Sequence, residues 1–138
     1  MPQVMGIDYG TRRVGIAVSD PNEEYGLPLE VLELPQRARA AAVAEMASVR
    51  DITLIVIGRP VRSAGEDSAL WPEIEKFGQS LERRGFTVIY EDEAFSSSAA
   101  EGQLRASGLT GGRKKPVLDA LAARLILEQY LERKSGRG

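Results

Sequence analysis

The sequence predicts one α/β domain: a single mixed β-sheet of five strands with helices packed on it. Three observations predict it. The chain has 138 residues, 43% of them hydrophobic, which suits one domain around one core. Its apolar pattern starts with consecutive short strands and then alternates helix and strand, in the order β-β-β-α-β-α-β-α-α. That order gives one sheet covered by helices. No repeat and no interdomain linker interrupts it, so the domain is placed at residues 1–134, with 135–138 as a flexible tail.

Val4 to Asp8 is a short apolar run that ends in an acid. Tyr9-Gly10-Thr11 forms a turn and Val14 to Ser19 resumes the β pattern, which makes a hairpin. Leu27 to Leu34 alternates imperfectly and is read as an edge strand, where the missing N–H of Pro28 costs little. Pro35 opens an Ala-rich helix through Arg50, with Val43, Met46, Ala47 and Arg50 at helical spacing. Thr53 to Gly58 is a continuous apolar run, as expected of a strand buried on both faces. Asp67 to Arg84 is a second helix with Leu70, Ile74, Phe77 and Leu81 on one face, widened by Trp71, and Gly85 is its stop. Phe86 to Glu91 is the next strand, and Ser96 to Ser107 a short helix capped by Ser96. Gly108 to Lys115 is Gly-rich and basic and is expected to be a mobile loop. Pro116 begins the last helix, with Leu118, Leu121, Leu125 and Ile126 facing inward.

Composition narrows the chemistry. There is no cysteine and no histidine. Disulfides, thiol nucleophiles, histidine general bases and cysteine or histidine metal ligands are therefore excluded. Hydrolytic chemistry here has to run on carboxylates, Lys, Tyr or Ser, and oxygen-only ligands favour Mg²⁺ or Mn²⁺. No apolar run approaches the roughly 20 residues of a membrane span, and Met1 to Gly10 lacks the pattern of a signal peptide. The expected location is cytoplasmic, with no membrane partner. The net charge of −2 hides a local bias: no acid falls between Glu101 and Asp119, a stretch that holds Arg105, Arg113, Lys114 and Lys115.

The acids fall in a pattern. Asp8 ends the first strand, Glu91, Asp92 and Glu93 end a later one, and Asp119 is expected in the first turn of the last helix. The carboxyl ends of parallel strands lie at one edge of a sheet, where ligands bind. Acids from three remote parts of the chain are thus brought toward one place, and a divalent cation would relieve their repulsion. Each acid also has a structural alternative. Asp119 complements a helix dipole, Glu91 to Glu93 form a solvated strand end, and Asp8 starts the turn through Gly10.

Met5-Gly6-Ile7-Asp8-Tyr9-Gly10-Thr11-Arg12-Arg13-Val14-Gly15-Ile16-Ala17-Val18-Ser19-Asp20 resembles the opening hairpin of the YqgF/RuvX family, the Holliday-junction-resolvase-like branch of the RNase H superfamily. Ile55 to Pro60, Tyr90 to Ser97, Asp119 to Ala123 and Ile126 to Glu128 resemble the family's later motifs, so the likeness runs from Met5 to about Tyr130. It implies an RNase H-like fold, a five-stranded mixed sheet with helices packed on both faces. It also implies dependence on Mg²⁺ or Mn²⁺, and Asp8, Glu93 and Asp119 as catalytic and metal-binding acids. The implied function is a metal-dependent endonuclease in 5′-end maturation of pre-16S rRNA. The alternative is a Holliday junction resolvase acting on four-way DNA junctions as a homodimer. The chain departs from the family at Ala94, where Arg is usual, and in the loop Gly58-Arg59-Pro60-Val61-Arg62-Ser63-Ala64-Gly65.

Arg12, Arg13, Arg59, Arg62, Arg113, Lys114 and Lys115 are the expected phosphate contacts, with Asp20 and Asp92 as reserve metal ligands. Trp71 with Leu70 is a candidate dimer surface, against core burial as the alternative. Gly111 to Pro116 is expected to order over bound nucleic acid, the alternative being an inert connector. Two further readings are weighed. Asp8-Tyr9-Gly10-Thr11 also matches the phosphate hairpin of actin-like ATPases, which bind ATP between two such domains. A non-catalytic nucleic-acid adaptor would keep the fold without needing the acids.

Overall fold

The computed structural model describes residues 3–20, 26–59, 70–92 and 114–135, the side chains of Pro28, Ser135 and residues 114–119 excepted. Eight elements follow in order: β1 (Val4–Tyr9), β2 (Val14–Ser19), β3 (Gly26–Leu32), α1 (Gln36–Val49), β4 (Leu54–Arg59), α2 (Trp71–Arg83), β5 (Thr87–Asp92) and α3 (Lys114–Ser135). The strands form one five-stranded sheet in the order β3-β2-β1-β4-β5. β1 pairs antiparallel with β2 and parallel with β4, and β4 pairs parallel with β5. The sheet is therefore mixed, and β1, β4 and β5 direct their carboxyl ends to one edge.

Alternation along the strands divides the core in two. Met5, Ile7, Tyr9, Val14, Ile16, Val18, Ile55 and Ile57 meet Val43 and Ala47 of α1 and Ile74, Phe77 and Leu81 of α2 on one face. Val4, Ala17 and Val56 meet Ala123, Ile126, Leu127, Tyr130 and Leu131 of α3 on the other. This is the expected arrangement of a mixed sheet with helices on both faces. At Gly6 helix α3 comes so close that a Cβ would stand 2.8 Å from Leu127 Cβ and 3.0 Å from the Ala123 carbonyl oxygen. Only a residue without a side chain fits there.

The edge strand β3 explains its own imperfect pattern. Ile16 pairs with Glu30 but Ala17 with Pro28, so the register shifts by one residue beside the proline. Gly85, the expected stop of the second helix, follows α2 at φ 99°. α1 gives way through Asp51 at φ 57°, a left-handed position that aspartate tolerates better than most residues.

Helix α3 corrects three expectations. It begins at Lys114 and not at Pro116, so Lys114 and Lys115 are helical and not part of a loop. The first N–H groups of a helix have no acceptor within it, so a proline at the third position costs no hydrogen bond. Asp119 is consequently in the second turn, beyond the first-turn position that favours a purely dipolar role. Ser135, read as part of the tail, closes the helix. The expected helix from Ser96 to Ser107 and the glycines at 111 and 112 lie outside the described residues.

Candidate active site

Asp8 is the penultimate residue of β1, and its neighbours set its surroundings. It is paired with Gly15 on β2 and with Gly58 on β4. In its row across the sheet it is thus flanked on both sides by residues with no side chain. Val4 and Gly6 meet α3, so alternation puts Asp8 on the α3 face as well. Asp8 is intermediate in burial.

The same row continues through Gly58 to Glu91 on β5. Glu91 is 5% exposed. Its Oε2 accepts from Gln129 Nε2 at 2.8 Å and its Oε1 from an Arg133 Nη2 at 2.5 Å, while Arg133 Nε lies 3.3 Å from Oε2. The carboxylate raises the Arg133 pKa above its usual range, by the hydrogen bond first and by opposite charge second. Gln129 also donates to the Asp92 carbonyl at 2.7 Å. Glu91 therefore works as an anchor between β5 and α3.

The turn after β1 is built tightly. Gly10 donates to the Arg13 carbonyl at 2.9 Å, and a Cβ on Gly10 would stand 2.8 Å from that oxygen. Beneath the turn lies Arg39 of α1, 1% exposed. It donates to the carbonyls of Gly10 at 2.7 Å, Thr11 at 3.0 Å and Leu34 at 3.0 Å, with its guanidinium 4.8 Å from the Tyr9 ring centre. Three carbonyl acceptors and an aromatic face compensate a cation that burial alone would heavily penalise. The Tyr9 hydroxyl is pushed above its ordinary pKa by burial, against the pull of Arg39.

The remaining expected site residues are distributed as follows. Arg12 is exposed and Arg13 half-buried, both in the turn beside Asp8. Arg59, at the end of β4, pairs with Asp92 at 3.1 Å and lies over the rings of Trp71 and Tyr90, at 4.5 and 5.1 Å from their centres. Asp92 thus serves Arg59 on the face opposite Glu91. Asp20 is corrected as a reserve ligand. β2 runs antiparallel to β1 with Val18 opposite Met5, which leaves Asp20 about five residues, or roughly 16 Å, from the Asp8 row. Lys114, Lys115 and Asp119 are in α3, and Asp119 is one turn before Ala123, the residue that touches Gly6. Glu93, Arg62 and Arg113 lie outside the described residues. Among the described residues no three acids form a metal-holding group. Leu70 packs against the core beside α2, and Trp71 meets Arg59.

Arg39 was missed in the sequence, although a signal is present. Arg39, Val43 and Ala47 are spaced by four on the buried stripe of α1, and an arginine on such a stripe needs acceptors. The Glu91 anchor left a fainter trace, Gln129 and Arg133 one turn apart.

Comparison with known proteins agrees with this architecture. The family model RuvX, described as Holliday junction resolvase, matches residues 2–133. A protein of Maridesulfovibrio salexigens named "Putative pre-16S rRNA nuclease" is 40% identical over 133 residues, covering 95% of this chain and 98% of that one. A protein of Syntrophus aciditrophicus with the same name is 33% identical over 94% of this chain and 88% of its own. Among solved structures, Thermus thermophilus RuvC in complex with a Holliday junction substrate superposes with a TM-score of 0.61 at 18% identity, over 99% of this chain and 98% of that one. The fowlpox virus resolvase complexed with Holliday junction DNA gives 0.53 at 10%, over 96% and 98%. These two likenesses concern the fold, which is RNase H-like. With the hairpin, the parallel strand ends and nearly the whole chain matched, the protein belongs to the RuvX family.

Proposed function

We propose that this chain is a metal-dependent endonuclease that hydrolyses phosphodiester bonds in structured RNA, at the 5′ end of pre-16S rRNA, in the cytoplasm. The observation that carries the reading is Asp8. It stands at the edge where three parallel strands end, between two glycines, on the face that α3 crosses two residues away. The names of the relatives with 40% and 33% identity support the substrate.

Asp8, Glu93 and Asp119 are the proposed holders of the cation. The oxygen-only donor set fits a hard ion, Mg²⁺ or Mn²⁺, and Asp8 stands between two glycines in its row. When bound, such an ion supplies an activated water and neutralises charge at the phosphate. The chain's own residues hold the acids at the sheet edge and grip the substrate. Arg12, Arg13, Arg62, Arg113, Lys114 and Lys115 are the proposed phosphate contacts. Arg59, paired with Asp92 through Nη2, is proposed as a further contact. Lys114 and Lys115 occupy the first turn of α3, where a cation opposes the helix dipole. The proposed phosphate contacts would offset that small cost.

The test is cleavage of a 5′-extended 16S rRNA precursor with Mg²⁺ or Mn²⁺, beside a four-way DNA junction. Metal-dependent cutting of the RNA that disappears in Asp8→Asn is the expected result. Symmetric cutting of the junction by a dimer would instead select the resolvase function that describes the family. Binding without cleavage of either would select the adaptor.

A further inference from the structure

Arg39 is the most completely buried charged side chain among the described residues, and it lies under the turn that follows Asp8. We propose that Arg39 is a positioning residue of the active site: it fixes the Gly10–Thr11 turn and sets the amides of Thr11 and Arg12 toward a substrate phosphate. This rests on the nuclease reading of the Asp8 edge.

Arg39 donates to two successive carbonyls, those of Gly10 and Thr11, from two different guanidinium nitrogens, while its Nε ties the same side chain to Leu34 at the entrance to α1. The peptide bonds of this turn are trans. In a trans peptide the N–H points opposite to the C=O. Drawing the Gly10 and Thr11 carbonyls toward α1 therefore turns the N–H groups of Thr11 and Arg12 away from α1. Two consecutive amides facing one way make a concavity that suits an anion.

The electrostatics agree. Two carbonyl oxygens at the edge of the site would repel a phosphate, and Arg39 takes both inward. The turn has little freedom otherwise, since the Gly10 amide is bound to the Arg13 carbonyl and no Cβ fits at Gly10. Tyr9 lies between the two parts, its ring against the guanidinium and 5.0 Å from the Phe77 ring, so a shift of Arg39 is passed to the residue next to Asp8. Lysine is no substitute. A single ammonium cannot present the planar fork that reaches three carbonyls in three directions.

The experiment compares wild type, Arg39→Lys, Gly10→Ala and Asp8→Asn. It uses Mn²⁺-dependent cleavage of the RNA precursor, amide exchange at Gly10, and amide shifts of Thr11 and Arg12 on adding a short RNA without metal. For Arg39→Lys a 10- to 100-fold fall in kcat is expected, about the cost of misplacing a reacting group by an ångström. KM should stay within about threefold, because the basic side chains still hold phosphate. Gly10 should exchange faster, and the Thr11 and Arg12 shifts should shrink. Gly10→Ala, which leaves Arg39 in place and forces the turn from the other side, should show the same kcat-selective loss and decides the matter if Arg39→Lys does not fold. Wild-type kcat together with unchanged Thr11 and Arg12 shifts in the variants overturns the proposal. Asp8→Asn that cuts normally, with Arg39-dependent shifts intact, overturns the assignment of Asp8 and leaves the positioning role standing.

Discussion

Asp8 and Glu91 occupy the same row of the sheet, on the same face and at the same edge, about 10 Å apart across two strand spacings. Their surroundings are opposite. Asp8 has a glycine on either side in its row, whereas Glu91 is buried and holds Gln129 and Arg133 of α3. Position at a strand end is thus common to a candidate catalytic acid and a structural one. What separates them is the row neighbours and the helix: glycines stand beside Asp8 in its row, and two donors from α3 converge on Glu91.

The largest expected effect breaks the pair apart. Asp8→Asn should lower metal-dependent cleavage by more than about 100-fold, above the 10- to 100-fold that losing a supporting contact costs at a metal site, with thermal stability little changed. Glu91→Gln should do the reverse and keep cleavage near wild type while lowering the melting temperature. Parallel cleavage assays and melts read both. Equal losses of activity in the two variants would mean that the row does not divide as described.

A subtler change puts a side chain where the account needs none. Gly58→Ala adds a methyl group between Asp8 and Glu91, and a loss of roughly tenfold or more in kcat/KM is expected from displacing the acid or its ligand. Removing glycine from a strand interior is itself mildly stabilising, by about 0.5–1 kcal/mol. Activity should fall by more than any change in stability accounts for, which steady-state kinetics and denaturant unfolding together would show.

The anchor should respond on the stability axis alone. Arg133→Met leaves the buried Glu91 carboxylate with Gln129, and a cost near the lower end of about 1–3 kcal/mol is expected, because more than half of the Arg133 side chain faces solvent. Chemical denaturation measures it, and unchanged stability would show that Gln129 suffices.

Much of this site was legible in the sequence, and the reasons are physical. An acid closing an apolar strand before a glycine turn marks Asp8, because burial makes such a charge expensive. Period-two and helical patterns mark the strands and helices and a glycine marks the stop at Gly85, while helices on both faces are implied by the family resemblance. The start of α3 is hidden because proline suits the first position of a helix, yet the whole first turn accepts one. Asp20 was misplaced because an antiparallel partner carries its end away from the site. The roles of Arg39 and Glu91 depend on partners 28 to 42 residues away. No local pattern encodes those contacts.

The smallest expected effect is alkaline. Burial pushes the hydroxyls of Tyr9 and Tyr90 above 10.0, and for Tyr90 the charges of Glu82 and Glu75 add to it. Below the unfolded value near 10 both states hold the proton and the stabilisation is complete. As the pH rises past it the unfolded chain loses its protons first, so stability falls through the raised folded values. Melting temperatures should be flat from pH 8 to about 9.5 and drop above 10, and Tyr90→Phe should soften the drop.

The central claim is that Asp8, and not its row-mate Glu91, holds the cation. Titration of Mn²⁺ into wild type, Asp8→Asn and Glu91→Gln by calorimetry tests it without any substrate. The account predicts affinity weakened at least tenfold in Asp8→Asn, the order expected for a metal-site residue, and within about twofold of wild type in Glu91→Gln. Unchanged Mn²⁺ affinity in Asp8→Asn, or a loss in Glu91→Gln as large, would contradict it.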